Sequence, residues 1–133
     1  MREEHGEYTH GYFIYQGALR VPLIFKLPHR TRPGKTSELA GLIDIVPTVC
    51  SLLGLEVPER VQGIDLSPYF GQKEPAGPDR ELYCESLTPT KYEAAPLLGV
   101  VTDRYKYVYT TRPELYDLSL DPKEKKNLVT QLP

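Results

Sequence analysis

The 133-residue sequence predicts an α/β protein that closes with a small antiparallel sheet and a helix. Residues 21–27 (VPLIFKL) form a near-continuous apolar run, the character of a strand buried on both faces. Residues 45–53 (IVPTVCSLL) repeat their apolar positions at helical spacing. Beyond Pro78 the pattern changes to a period of two, as in strands with one buried face. The proline-rich stretch 75–78 marks the change, giving an α/β portion over residues 1–74 and an antiparallel subdomain over 75–133.

Residues 1–20 read as loop, with a helical turn near 13–16. His5 and His10 sit here among Gly6, Gly11 and Gly17. Ionisable groups on irregular backbone leading into a buried strand are how active-site loops are usually presented. Pro22 fits only at the start of that strand, and Pro28 closes it. Residues 29–37 (HRTRPGKTS) form a polar, basic turn, and 38–42 a short extended piece. In the helix, Asp44 is placed as N-cap, Pro47 falls in the first turn and Gly54 supplies the stop. Ile45, Val49, Leu52 and Leu53 make one apolar face. Residues 56–77, broken by prolines and glycines, form a connection with one helical turn at 66–70.

Strands are expected at 81–85, 97–101 and 105–110, the last two joined by Thr102, Asp103 and Arg104. In the third, Tyr105, Tyr107 and Tyr109 share one face, and Lys106 and Val108 the other. Residues 112–114 turn the chain and 115–118 return it. Asp121, Pro122 and Glu124 then have the arrangement of a capping box, so a helix is expected to follow.

A net charge of −2 gives no electrostatic reason to expect nucleic acid or an anionic membrane as partner. No apolar run approaches the roughly 20 residues of a membrane-spanning helix. Met1 is followed by Arg2, Glu3, Glu4 and His5, so no signal-peptide h-region is expected at this end. Cys50, within the apolar helix, reads as a buried free thiol; a bond to Cys84 needs geometry to decide.

His5, Glu7 and His10 have the wrong spacing for the His-Glu-x-x-His zinc helix, and Gly6 and Gly11 oppose a helix there. An anionic ligand suits them better. A protonated His10 can donate to a sulfate or phosphate oxygen, or pass a proton to a leaving oxygen. The glycines let backbone approach closely. The plain alternative is a surface histidine bonded to a neighbouring carboxylate. Arg20 reads equally as an anion contact or a structural ion pair, and Asp44 as a cap rather than a catalytic acid. The tyrosine and lysine strand reads as a sheet face rather than a base-stacking platform. No nucleophile elbow, phosphate-binding loop or Cys-x-x-Cys occurs. The residues alone leave the function open.

Four stretches together resemble the sulfatases of the alkaline-phosphatase-like superfamily. The first runs from His5-Gly6-Glu7-Tyr8-Thr9-His10-Gly11 to Leu19-Arg20-Val21-Pro22-Leu23-Ile24. The second is Leu42-Ile43-Asp44-Ile45-Val46-Pro47-Thr48, with Leu53-Gly54 after it, and the third Gly63-Ile64-Asp65-Leu66-Ser67-Pro68. The fourth joins Tyr105-Lys106-Tyr107, Glu114-Leu115-Tyr116-Asp117-Leu118, Asp121-Pro122, Glu124 and Asn127-Leu128. They stand in the family's order and cover nearly the whole sequence.

The resemblance implies the C-terminal part of an alkaline-phosphatase-like α/β sandwich plus a small antiparallel sheet with a helix. It implies a formylglycine nucleophile, a calcium or magnesium ion and a sulfate ester substrate in the parent enzyme. The formylglycine motif C/S-x-P-x-R is not in this sequence, and the family's metal ligands belong to segments that precede it. The expectation is therefore a fragment, inactive alone, that supplies one wall of the sulfate pocket. His10 falls where the family carries a lysine or histidine that contacts the sulfate and assists the leaving group; His5 takes a supporting role in substrate binding. An incomplete α/β domain is also expected to expose apolar surface and self-associate. The runner-up is a phosphodiesterase or phosphonate monoester hydrolase of the same superfamily, and a different class is a non-catalytic binding module.

Overall fold

Alternation along residues 82–117 builds a four-stranded antiparallel sheet in the order β1-β2-β3-β4, with β1 Leu82–Ser86, β2 Leu97–Val101, β3 Tyr105–Tyr109 and β4 Glu114–Asp117. The computed structural model describes residues 4–6, 11–28, 34–70, 77 and 79–131. The chain divides into two compact units, one of residues 1–22 with 79–133 and one of residues 23–78. The boundary expected between residues 74 and 75 lies outside the described residues.

In the first unit the register sets two inward rows of side chains. Leu82, Val101, Lys106 and Tyr116 lie opposite one another, and so do Cys84, Gly99, Val108 and Glu114. Val101, Val108 and Tyr116 are buried, whereas Tyr83, Tyr107 and Tyr109 on the other face are exposed. Thr102 closes the β2–β3 turn, its hydroxyl accepting from the Tyr105 N–H at 2.8 Å. The N-terminal segment covers the inward face strand by strand. Gly11 accepts a hydrogen bond from the Ser86 hydroxyl on β1 (2.9 Å), Ile14 packs at Gly99 on β2, and the Ile14 carbonyl accepts from Lys106 on β3. Tyr15 reaches Glu114 on β4. Burying Ile14, 3% exposed, contributes about 1.5–3 kcal/mol. The expected helical turn appears slightly later than residues 13–16, as α1, Gln16–Leu19.

The helix expected after Asp121 is not formed; residues 122–131 make turns. Glu124 takes a left-handed conformation (φ 53°), which interrupts a right-handed helix. Its carboxylate turns inward instead of reaching back to cap Asp121. Both cysteines are free and partly exposed, so Cys50 is less buried than its sequence context suggests.

In the second unit α2, Ile45–Leu53, matches the expected helix, and Gly54 ends it in the left-handed region (φ 66°). Asp44 does not cap α2 through its side chain. It is fully buried, with one carboxylate oxygen accepting from the Gly41 N–H (2.7 Å) and the other from the Ile64 N–H (2.9 Å). Thr48 extends this link: its hydroxyl donates to the Asp44 carbonyl (2.6 Å) and accepts from the Leu66 N–H (2.9 Å). A 3₁₀ turn, Ser67–Phe70, stands where a helical turn was expected, and Phe70 packs on Phe25 with ring centroids 5.2 Å apart.

One expectation fails here. Residues 21–27 form no strand, and Ile24 is 85% exposed. An apolar run becomes a buried strand only where neighbouring strands take up its N–H and C=O groups, and β1–β4 pair only among themselves. The expected apolar face of α2 is also largely open: Val49, Leu52 and Leu53 are exposed, while Pro47 and Thr48 are buried. Among the described residues no helix is long and apolar enough to cross a membrane.

These contrasts set opposite expectations for two substitutions in this unit. At Gly63 a Cβ would overlap the Ile43 carbonyl, which is backbone and cannot swing aside. Gly63→Ala should therefore destabilise by about 1–3 kcal/mol. Leu53→Lys, at a position 66% exposed, should stay within about 0.5 kcal/mol of wild type. Urea denaturation of the two variants checks both.

Candidate functional site

Of the two histidines singled out, His10 lies outside the described residues, as does Glu7. His5 is described. It adopts a left-handed backbone (φ 62°), as does Gly6 after it (φ 76°). The His5 ring stacks on Tyr15, with centroids 3.7 Å apart and planes 15° from parallel. Its Nε2 lies 3.0 Å from the Lys123 carbonyl. A carbonyl only accepts, so Nε2 carries the proton. In the neutral ring Nδ1 is then the acceptor; in the protonated ring Nδ1 also donates. The imidazole is thus held in one tautomer and on one support.

That support rests on the polar core of the sheet. The Tyr15 hydroxyl donates to both Glu114 carboxylate oxygens, at 3.2 and 3.0 Å, and Tyr116 donates to the same carboxylate at 2.9 Å. Burial and then the Glu114 carboxylate push the Tyr15 phenol up to about 12. Tyr116 is raised too, first by burial and then by its hydrogen bond to Glu114. Beside them lies a buried ion pair: Lys106 Nζ is 2.6 Å from Glu124 Oε1, with both side chains almost wholly out of solvent. Lys106 also donates to the Ile14 carbonyl and lies 5.7 Å from the centre of the Tyr15 ring. The other Glu124 oxygen accepts from the Gln16 N–H at 2.5 Å. Burial raises the Cys84 thiol, partly offset by the Lys106 charge.

Among the described residues no group of three or more His, Cys, Asp or Glu side chains could hold a metal ion. The divalent ion implied by the resemblance finds no donor set in them. Asp44 is committed to backbone N–H groups, which suits a structural role. Arg20 is exposed just beyond α1. The sequence placed Lys106 on a sheet face and Glu124 in a capping box, and their joining with Tyr15 beneath His5 was not anticipated. One signal for them was available: Lys106 shares its strand face with Val108, and a cation on an apolar face needs a buried partner.

The family described as "N-sulphoglucosamine sulphohydrolase, C-terminal" matches residues 3–132. The chain belongs to this family. Among sulfatase relatives, it is 29% identical over 133 residues to an N-acetylglucosamine-6-O-sulfatase of Bacteroides thetaiotaomicron, covering 94% of this chain and 24% of the relative. It is 30% identical over 141 residues to human arylsulfatase A, covering 86% of this chain and 27% of the relative. The solved structure of a 2-O GAG sulfatase superposes with a TM-score of 0.54 and 36% identity, over 64% of this chain and 19% of the other. The chain thus spans about a quarter of the length of these sulfatase relatives. Its fold is that of a sulfatase C-terminal portion in the alkaline-phosphatase-like class, with a mixed α/β character and a small antiparallel sheet.

Breaking the buried pair from one side should be costly. Lys106→Met leaves the Glu124 charge buried and should destabilise by about 3–5 kcal/mol. Adding Glu124→Gln should restore most of that loss, because a neutral amide can still accept from Gln16. Denaturant titration of the single and double variants checks this. The tyrosines give a pH prediction. A phenol raised in the folded state contributes stability that is complete below its unfolded value of 10.0 and is lost as pH rises through about 12. Stability should therefore fall between pH 10 and 12, and Tyr15→Phe should make that fall shallower, as read by thermal melts across the range.

Proposed function

We propose that this chain supplies one wall of the sulfate pocket of a sulfuric ester hydrolase. His10 contacts the sulfate and assists the leaving oxygen, and His5 is a second contact. The observation that carries this reading is the seating of His5. Its Nε2 is committed to Lys123 and its ring to Tyr15, so in the protonated ring Nδ1 is the donor left for a sulfate oxygen. This residue stands in the stretch whose sequence resembles the sulfatase pocket. Charge that develops on a transferring group is stabilised by such pre-positioned donors. Proton transfer to a leaving oxygen by a positioned histidine typically contributes 10²–10⁴-fold.

The substrate class is a sulfate ester, and relatives named as sulfatases of amino sugars and hexuronates favour a sulfated sugar as the alcohol. The chain is inactive by itself in this reading, because its sequence carries no formylglycine motif. The open apolar residues of α2 support self-association of the isolated chain.

The purified chain should show no metal-dependent hydrolysis of an aryl sulfate, and measurable turnover would overturn the reading. An aryl sulfate titrated into the chain should shift the ring signals of His10 and His5 in the NMR spectrum. Silence at both rings would sink the pocket-wall assignment, and a stronger response to a phosphonate monoester would replace sulfate with that class.

A further inference from the structure

The two supports of His5 are Tyr15, on which its ring stacks, and the Lys123 carbonyl, to which its Nε2 donates. These residues lie far apart in sequence. Their chain neighbours, Gln16 and Glu124, are joined directly: the Gln16 N–H donates to Glu124 Oε2 at 2.5 Å. The same glutamate is fixed from below by Lys106 on β3. Its left-handed backbone lets one residue send its side chain inward while the preceding carbonyl meets His5.

We propose that Glu124 is a positioning residue for His5, using its two carboxylate oxygens to tie Lys106 of the sheet to the Gln16 N–H and so bring Tyr15 and the Lys123 carbonyl together as one seat for the imidazole. The bond to Gln16 holds the loop; the bond to Lys106 anchors it to the sheet. A glutamate that merely neutralised Lys106 would need only the second. The consequence for sulfate binding rests on the reading that His5 faces the sulfate; the seat itself does not.

The two bonds can be separated by Gln16→Pro. Gln16 is the first residue of α1, where proline is tolerated, and Tyr15 before it (φ −72°, ψ 161°) already has the extended conformation that proline imposes. The substitution removes the N–H donor and leaves the Lys106–Glu124 pair untouched. The readout is the upfield ring-current shift of the His5 C–H signals caused by stacking on Tyr15. It is measured in the full chain without ligand, with the β1–β4 amide signals as the control for folding. The expected result is loss of the upfield shift in Gln16→Pro with the sheet signals in place, and no change in Gln16→Ala, which keeps the donor. Retention of the His5 shift in Gln16→Pro overturns the proposal. So does loss of the sheet signals, since the bond would then be holding the sheet rather than the loop. Glu124→Gln provides a second check, because its amide oxygen can replace only one of the two acceptors and the His5 shift should be reduced. A failure of His5 and His10 to respond to aryl sulfate in wild type, with the seat confirmed, would overturn the pocket reading alone.

Discussion

The buried pair of Lys106 and Glu124 is the constraint on which the first unit depends. A lysine on the inward face of a sheet faces a large desolvation penalty unless a counter-charge and further hydrogen bonds accompany it. Glu124 supplies the charge and the Ile14 carbonyl a second acceptor. Meeting that requirement draws in segments remote in sequence: the loop before α1, the middle of β3 and the turn after Asp121. The pair adds little net stability by itself. In this arrangement the three segments together satisfy Lys106 and both oxygens of Glu124. Among the described residues no buried side-chain nitrogen or oxygen lacks a hydrogen-bond partner.

This requirement also explains the path of residues 11–16. They cross the inward face of the sheet from β1 to β4, making one specific contact per strand. Gly99 is needed beneath them, since a Cβ there would press on Ile14 Cδ1 and Cys84 Sγ, each 2.8 Å away. The segment acts as a cover for the core and, through Tyr15, as a support for His5. Packing and site geometry therefore share one set of residues, and a change in the sheet's inward face reaches His5 within a few bonds.

Local patterns were legible where local physics decides. The period of two in 97–101 and 105–110, the turn at Thr102 and the glycine stop at Gly54 all follow from neighbours in sequence. Readings failed where a distant partner decides. Asp121, Pro122 and Glu124 satisfy the local rule for a helix start, but a buried cation on β3 claims the glutamate first. Asp44 does stand at the N-cap position of α2, but its side chain accepts from Gly41 and from the remote Ile64 instead of capping the helix. The run 21–27 has the composition of a central strand, but composition reports the environment a segment suits and not the partners it finds. For the candidate site, the resemblance named His5 and His10 without their supports. The seat of His5 stayed hidden, because it is built from residues 15, 114, 116, 123 and 124, which share no local pattern.

The second unit shows the same logic with a different balance. Asp44 and Thr48 are wholly buried polar residues that tie α2 to residues 63–66 through two backbone N–H groups, those of Ile64 and Leu66. That polar link fixes which side of α2 turns inward, and it is the side bearing Pro47 and Thr48. The consequence is that the strongest apolar residues of the helix, Leu52 and Leu53 among them, face away from their own unit. The hydrogen-bonded side of this helix is satisfied and its apolar side is open. Asp44 and Thr48 thus impose a division of labour: polar contacts hold the connection to residues 63–66, and the leucines at the end of α2 take no part in it.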